Sequence, residues 1–386
     1  MTLRLPRPSP VVFDARVVTG SGGGPDKTIL NSPRFLTPLG YRMLCGYLTP
    51  PNDPGYADIE RKAAKYGAPL ITIPDRGATD WRVVPKLLNV CRRENVAIWH
   101  GHDYKTNALG LLLNRFWPMR LVTTLHGWVK NTARTPLYYR IDRLCLPRYE
   151  RVFCVSEDLY NAARRSGVAR GKCVLLENGI DTVEYARSRT IAEAKAALGV
   201  PAGEFLIGAV GRLSPEKGFD LLIRSVKSLR DAGHPVRFMI VGEGDDRPRL
   251  EALRAELGLT DCVSLPGWRS DVRGDFEAMD LFALSSLREG LPNVVLEAMA
   301  LGVPCVATRI AGVPKLIDHG VSGELVPAGD GSALTAGIMR LLGDSELRFR
   351  YAGAGRAAMV ARYDFAGRMV RLARAYDELL QRAPDR

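Results

Sequence analysis

Two carboxylates flank a turn in the stretch Ser285-Ser286-Leu287-Arg288-Glu289-Gly290-Leu291-Pro292-Asn293-Val294-Val295-Leu296-Glu297-Ala298-Met299. The apolar run before it, Leu281–Leu284, reads as a strand ending near Ser285. Gly290 supplies a turn, and Pro292 suits the opening of a helix. Glu289 is therefore expected in the loop, with Glu297 a turn into the helix. The amides of residues 291–293 would meet an anion such as a phosphate, and a carboxylate on either side could take sugar or ribose hydroxyls. Val294, Val295 and Ala298 around Glu297 argue for a buried setting rather than a solvated helix face.

Three further constellations follow apolar runs. Gly211-Arg212-Leu213-Ser214-Pro215-Glu216-Lys217-Gly218 carries a helix cap in Ser214 and a first helical residue in Pro215. Arg212 and Lys217 would then flank one helix start, an arrangement suited to a diphosphate. Thr19-Gly20-Ser21-Gly22-Gly23-Gly24-Pro25 precedes a helix expected near Asp26. Glycines there let backbone approach a ligand closely. The stretch is neither a dinucleotide fingerprint, because Pro25 stands where the last glycine belongs, nor a phosphate-binding P-loop, because Lys27-Thr28 follows Asp26. His100-Gly101-His102 and His126-Gly127-Trp128 end successive apolar runs, where a histidine beside a glycine can contact a ligand. His234 and His319 lie in loop contexts that carry no such signal. No Asp-x-Asp occurs, so a diphosphate held through a carboxylate-bound metal is disfavoured. The charge then falls to Arg212, Lys217 and helix amides, with no metal and no cofactor beyond the substrate.

The elements that must position these residues are legible as alternating patterns. Short Val-, Ile- and Leu-rich runs at Pro10–Arg16, Tyr41–Leu48, Pro69–Pro74, Val96–His100, Arg120–Leu125, Arg151–Val155 and Cys173–Leu176 are separated by helical patterns such as Trp81–Arg93 and Ser156–Ser166. The rhythm repeats at Phe205–Val210, Val236–Val241, Cys262–Leu265, Leu281–Leu284 and Val303–Thr308. Continuous apolar strands alternating with helices imply parallel sheets covered on both faces. The fold class is α/β, two doubly wound Rossmann-like domains facing one another across a cleft, and in such sheets ligands sit beyond the carboxyl ends of the strands. The domains are read as 1–185 and 186–364. Ala192–Leu198 is a connecting helix, and after Pro327 only helices are expected, at Ala333–Leu342, Ser345–Arg362 and Phe365–Leu380.

Composition limits the partners. Of 386 residues 46% are hydrophobic and 25% charged, an ordinary globular balance. No apolar run reaches bilayer-spanning length, and the N-terminus lacks a signal-peptide core, so the reading is cytoplasmic. The seven cysteines, an odd number with no C-x-x-C pair, read as reduced thiols rather than a disulfide framework or zinc site. The net charge of +12 is concentrated in residues 1–190, with 29 Lys and Arg against 16 Asp and Glu. A basic half of this kind suits an anionic partner, a membrane surface, a lipid diphosphate or nucleic acid, with solubility alone as the alternative. Leu111–Arg120, basic and aromatic, is the candidate for peripheral membrane contact, with an ordinary buried helix end as the alternative. Nucleic acid is not expected, since no recognition motif accompanies the charge.

Taken together, the sequence resembles the retaining GT-B glycosyltransferases of the glycogen synthase and sucrose synthase-like group, family 4. The resemblance covers nearly the whole chain. It is carried by the Glu289-x7-Glu297 element, Gly211–Gly218, Glu177-Asn178-Gly179-Ile180-Asp181, Val241-Gly242-Glu243-Gly244 and Gly320-Val321-Ser322-Gly323, in order and spacing. It implies that Arg212 and Lys217 neutralise a nucleotide-sugar diphosphate and that Glu289 contacts hydroxyls of the transferred sugar. It further implies that Glu297 contacts the ribose, that Gly290, Leu291, Pro292 and Asn293 line the donor site, and that His126 touches the donor sugar. Gly22, Gly23 and Gly24 would face donor and acceptor, and the final helix, 365–386, would cross back to complete the N-terminal domain. The implied partners are a nucleotide-sugar and a glycan or lipid-diphosphate-linked acceptor, transfer keeping the anomeric configuration. Relatives often carry Gly-Gly-Ala/Gly-Glu in the first loop where this chain has Gly23-Gly24-Pro25-Asp26, so acceptor identity does not carry over. A nucleotide-sugar epimerase or hydrolase on the same frame is the nearest alternative. A nicotinamide dehydrogenase is a more distant one, because Gly242-Glu243-Gly244-Asp245-Asp246-Arg247 fails the fingerprint at its last position.

Overall fold

The computed structural model describes residues 9–127, 135–201 and 203–381. The chain divides into two compact units, Met1–Glu177 with Ala366–Arg386, and Asn178–Phe365. The first boundary falls before residue 185 because the segment after Glu177 bonds within the second unit. Ile180 bridges Asp364, and the Thr182 hydroxyl donates to Asp364 Oδ1 at 2.7 Å.

The first unit is built on seven parallel strands: β1 (Val11–Val17), β2 (Arg42–Thr49), β3 (Leu70–Pro74), β4 (Val96–Gly101), β5 (Arg120–Leu125), β6 (Arg151–Cys154) and β7 (Cys173–Leu175). Their order across the sheet is β3-β2-β1-β4-β5-β6-β7. The strands are apolar runs because helices cover both faces, leaving no solvated side to alternate with. Where space is short, glycine substitutes for packing: a Cβ on Gly46 of β2 would stand 2.0 Å from the Phe13 ring of β1. That ring stacks on Trp99 of β4 at 5.3 Å, fixing the centre of the core. The helix Phe365–Gln381 belongs to this unit. Tyr41 donates to Asp377 at 2.5 Å, Arg151 pairs with Glu378 at 3.1 Å, and Arg368 donates to the Glu177 carbonyl.

The second unit has six parallel strands: β8 (Phe205–Val210), β9 (Val236–Val241), β10 (Val263–Gly267), β11 (Leu281–Leu284), β12 (Cys305–Thr308) and β13 (Glu324–Val326). The order is β10-β9-β8-β11-β12-β13. Alternate residues feed two cores, Phe282 packing with Met279, Val295 and Leu296 on one face, Leu281 and Ala283 with Leu222, Phe238 and Ile338 on the other. Strand β13 escapes the sequence pattern because three residues are too few to show a period. Its pairing with Val306–Thr308 makes it a strand.

In each sheet the strand order reverses beside the first strand of the unit, at β1 between β2 and β4, and at β8 between β9 and β11. Such reversals open a crevice at the carboxyl ends where loops leave in opposite directions. The glycine loop follows β1, His100 stands at the end of strand β4 with His102 just after it, Gly211–Gly218 follows β8 and Ser285–Pro292 follows β11. All seven cysteines are buried free thiols. Among the described residues no helix is long and apolar enough to cross a membrane.

Candidate active site

In the second unit the loop after β8 folds differently from expectation. Pro215–Lys217 form one 3-10 turn, and the long helix, Phe219–Asp231, begins only after Gly218. The Ser214 hydroxyl lies 3.4 Å from the Arg212 carbonyl and does not cap. The turn is stitched to the end of β11 at three points. Leu287 N donates to the Glu216 carbonyl and Ser285 Oγ to the Lys217 carbonyl, both at 2.8 Å. Gly218, at φ +61, packs so closely that a Cβ would meet the Ser285 carbonyl at 2.5 Å. These ties bring Lys217 Nζ to 2.7 Å from Glu289 Oε1, where Ser286 Oγ also donates at 2.7 Å. One carboxylate oxygen thus gathers two donors.

Arg212 stands apart from that pair. Its side chain is 59% exposed and its guanidinium rests on Glu216 at 2.8 Å. The expectation that Arg212 and Lys217 flank one helix start therefore gives way to a buried-side Lys217–Glu289 pair and a surface Arg212–Glu216 pair. An exposed pair of this type contributes little stability, so the Arg212 guanidinium can leave Glu216 at small cost.

The loop after β11 also corrects a detail. Pro292 precedes the helix Asn293–Ala300 as its cap residue, and a proline has no N–H to offer. The trio of amides at 291–293 is therefore not available as such. Val295 N donates to the Pro292 carbonyl, while Asn293 and Val294 open the helix with amides that have no intrahelical acceptor. Gly290 is exposed and Leu291 buried. The Gly290 carbonyl accepts from Gly312 N at 3.0 Å, which clamps the turn. Asn293 Oδ1 accepts from Asn178 Nδ2 at 3.2 Å. Glu297 is buried at 2% exposure, as its apolar neighbours indicated, with the Tyr185 hydroxyl 3.5 Å from Oε1.

In the first unit the glycine loop is a fixed turn. The helix starts at Gly24, two residues earlier than expected, with Gly23 as its cap residue. Buried Asp26 receives Gly23 N at 2.6 Å and pairs with Arg16 Nε of β1 at 2.6 Å. Gly22 has φ +70, and a Cβ there would meet Asp26 Oδ2 at 2.6 Å and Ile59 Cδ1 at 2.7 Å.

Buried Asp14, His100 and His102 form with half-buried His126 a polar cluster that the sequence did not show. His102 Nε2 is 3.0 Å from Asp14 Oδ1, and His102 Nδ1 is 3.0 Å from His126 Nε2. His100 reaches the Tyr376 hydroxyl at 2.6 Å, Thr124 Oγ1 at 2.7 Å and Asp14 Oδ1 at 3.2 Å. The three rings stack in series, His100 on His102 at 4.3 Å and His102 on His126 at 5.3 Å. Burial pushes the Asp14 carboxyl up to about 6, against the pull of His100. Burial, then the neighbouring His102, lowers His100 to about 3. Burial also holds His102 and His126 well below the usual imidazole range. Asp14, His100 and His102 offer donor atoms within 4.8 Å of one another. Those atoms already have partners, Asp14 Oδ1 with His102 Nε2 and His100 Nδ1 with the Tyr376 hydroxyl, and the Arg368 charge also acts on Asp14. The missed signal was an acid inside the apolar run Val11-Val12-Phe13-Asp14-Ala15.

Trp128 lies outside the described residues. Of the segment Leu111–Arg120, Leu113 and Met119 are buried, the Trp117 indole donates to the Val96 carbonyl, and Phe116 is exposed.

With this geometry stand the likenesses to known proteins. Residues 22–184 match the model of Glycosyltransferase Family 4, and residues 204–344 that of Glycosyl transferases group 1. The chain is 30% identical to the D-inositol 3-phosphate glycosyltransferase of Corynebacterium jeikeium over 76% of its own length and 75% of that protein's. It is 34% identical to the lipopolysaccharide core biosynthesis glycosyltransferase LpsE of Rhizobium meliloti over 45% of this chain, a match spanning only half of that relative. Among solved structures it resembles HepE of Anabaena in complex with UDP, with TM-score 0.80, 22% identity, and 96% and 100% of the two chains covered. A sucrose-phosphate synthase from Thermosynechococcus elongatus gives TM-score 0.78 at 20% identity over 96% and 99%. The fold is that of the GT-B enzymes. The chain belongs to the group 1 glycosyltransferases, family 4.

Proposed function

We propose that the chain transfers a sugar from a nucleoside-diphosphate sugar to a glycan or lipid-diphosphate-linked acceptor of a surface polysaccharide, retaining the anomeric configuration. In this reading Lys217, Arg212 and the amides of Asn293 and Val294 receive the diphosphate without a divalent ion. Glu289 takes hydroxyls of the transferred sugar, Glu297 the ribose, and His126 the sugar near its reacting carbon. The observation that carries the reading is the Lys217–Glu289 pair, held by three ties at the strand-order reversal of the second sheet. A cation and a carboxylate fixed this close can serve the two parts of one ligand, phosphate and sugar. The reaction separates charge onto a departing diphosphate, so preorganised positive groups act where charge develops. Relatives named for lipopolysaccharide core assembly, and one named UDP-Gal:alpha-D-GlcNAc-diphosphoundecaprenol alpha-1,3-galactosyltransferase at 27% identity, support the acceptor class and favour a uridine donor.

The test is a panel of nucleotide-sugars screened by thermal shift, followed by transfer assays with the donor that stabilises the fold. The reading expects one diphosphate donor to raise the melting temperature in EDTA, with anomeric retention in the product. Donor consumed in the absence of any acceptor would favour the epimerase or hydrolase instead.

Peripheral contact with an anionic membrane surface belongs to the same proposal. The basic excess of residues 1–190 supports it, as does a 520 Å³ cavity lined by Arg140, Arg143, Arg165 and Leu144, the last 67% exposed. Flotation with anionic vesicles at low salt, lost at high salt, is the expected result. No binding at low salt ends that part of the proposal.

A further inference from the structure

We propose that Asp14 and His102 are positioning residues that fix His126 as the Nε2–H tautomer, leaving its Nδ1 as a hydrogen-bond acceptor for a sugar hydroxyl. The inference rests on the reading of His126 as a donor-sugar contact and adds the polarity of that contact.

The chain of rings is fixed from its buried end. A carboxylate can only accept, so Asp14 Oδ1, 3.0 Å from His102 Nε2, requires the proton of His102 on that nitrogen. A neutral imidazole with Nε2–H has a bare Nδ1, which must accept from its own neighbour. That neighbour is His126 Nε2 at 3.0 Å. The His126 proton therefore lies on Nε2, and Nδ1 keeps its lone pair. Each assignment forces the next, with no free choice after Asp14.

Four features keep the chain in this state. Asp14 is 3% exposed and His102 7%, so water does not compete for their hydrogen bonds. The rings of His102 and His126 stack at 25° between planes, which holds the N···N line. Burial keeps both imidazoles neutral at physiological pH, and the carboxyl of Asp14 is ionised above about 6. His100 anchors the far side through Tyr376 and Thr124, so Asp14 has little room to turn.

The consequence is selectivity at His126. An acceptor nitrogen pairs with a hydroxyl of the sugar as donor, and it rejects a derivative in which that hydroxyl is methylated or replaced by fluorine. A buried site that loses one such bond loses about tenfold in kcat/KM.

The experiment is ¹⁵N NMR of histidine-labelled full-length protein near neutral pH, reading the protonation of each ring nitrogen without any substrate. The expected result is a bare Nδ1 and protonated Nε2 for both His102 and His126. A protonated Nδ1 on His126, or an imidazolium at either ring, overturns the proposal. Asp14→Leu removes the acceptor that sets the direction, and the single Nε2–H pattern should give way to a mixture in which the Nδ1–H form of both rings appears. An unchanged pattern in that variant would remove Asp14 from the account, and the wild-type spectrum decides the tautomer even if the variant does not fold. Transfer by His126→Ala separates the two layers. Undiminished turnover there would defeat the donor-sugar contact, whatever the spectra say of the tautomer.

Discussion

At the residue scale the proposed chemistry turns on Lys217 and Glu289, 2.7 Å apart. On the proposed reading Lys217 is the preorganised cation at the leaving group, so Lys217→Ala should slow transfer by roughly 10²-fold with folding intact. On the same reading Arg212→Ala should have a comparable effect on transfer. Its exposed pair with Glu216 makes no strong demand on stability, so melting temperature should hardly change. Normal kcat/KM in either variant would remove that residue from the diphosphate site. That these residues stand in turns after strands was readable from one sequence, because Gly-, Pro- and Ser-rich stretches punctuate the apolar runs. Their pairing was not readable. Which cation meets which carboxylate depends on the ties between two loops 70 residues apart, made by the Glu216 and Lys217 carbonyls, and backbone carbonyls carry no sequence signature. Asp14 was passed over for a related reason: inside a run of buried apolar residues, an acid shows its purpose only through partners far along the chain, at His100 and His102.

At the scale of elements, the site depends on loops that interlock through glycine. Gly218 lies at φ +61 with the Ser285 carbonyl 2.5 Å from where a Cβ would stand. Gly218→Ala should therefore both strain the backbone and pry the turn from β11, at a cost of about 2 kcal/mol or more. The midpoint of urea unfolding would fall, and donor KM would rise because Lys217 leaves Glu289. A variant as stable and active as the parent would show that the tie between these loops is dispensable. Gly22→Ala makes the same test in the first unit, where both φ +70 and the Asp26 carboxylate forbid a side chain. Strand positions were legible because a sheet buried on both faces writes continuous apolar runs, and β5, β8, β9 and β11 begin and end where those runs do. Helix starts were less legible. The helix expected at Pro215 became a 3-10 turn because Gly218 takes a left-handed φ, which breaks the helical path before it can propagate.

At the scale of the whole molecule, the buried histidines give the first unit an acid limit. His100 titrates at about 3 when folded, against an ordinary 6.5, so between those limits the unfolded chain binds a proton the folded one refuses. Stability is then lost as pH falls below 6.5, and His102 and His126 act in the same direction. Asp14 opposes them: raised from 3.8 to about 6, it keeps a proton in the folded state that the unfolded chain releases. Three groups outweigh one, so the urea midpoint should drop steadily from about pH 6.5 to about pH 4, by about 1.4 kcal/mol per pH unit for each net proton. A midpoint that stays level or rises over that range would contradict the buried, neutral cluster. The claim on which everything else depends is that the second unit's loops after β8 and β11 hold a nucleoside diphosphate without a metal. Calorimetric titration of UDP into the full chain in EDTA tests it most directly. The account predicts binding that survives the chelator and weakens at least about tenfold in Lys217→Ala, the loss expected for one charge-assisted contact. Binding that appears only with added magnesium, or that is the same in the variant, would contradict it.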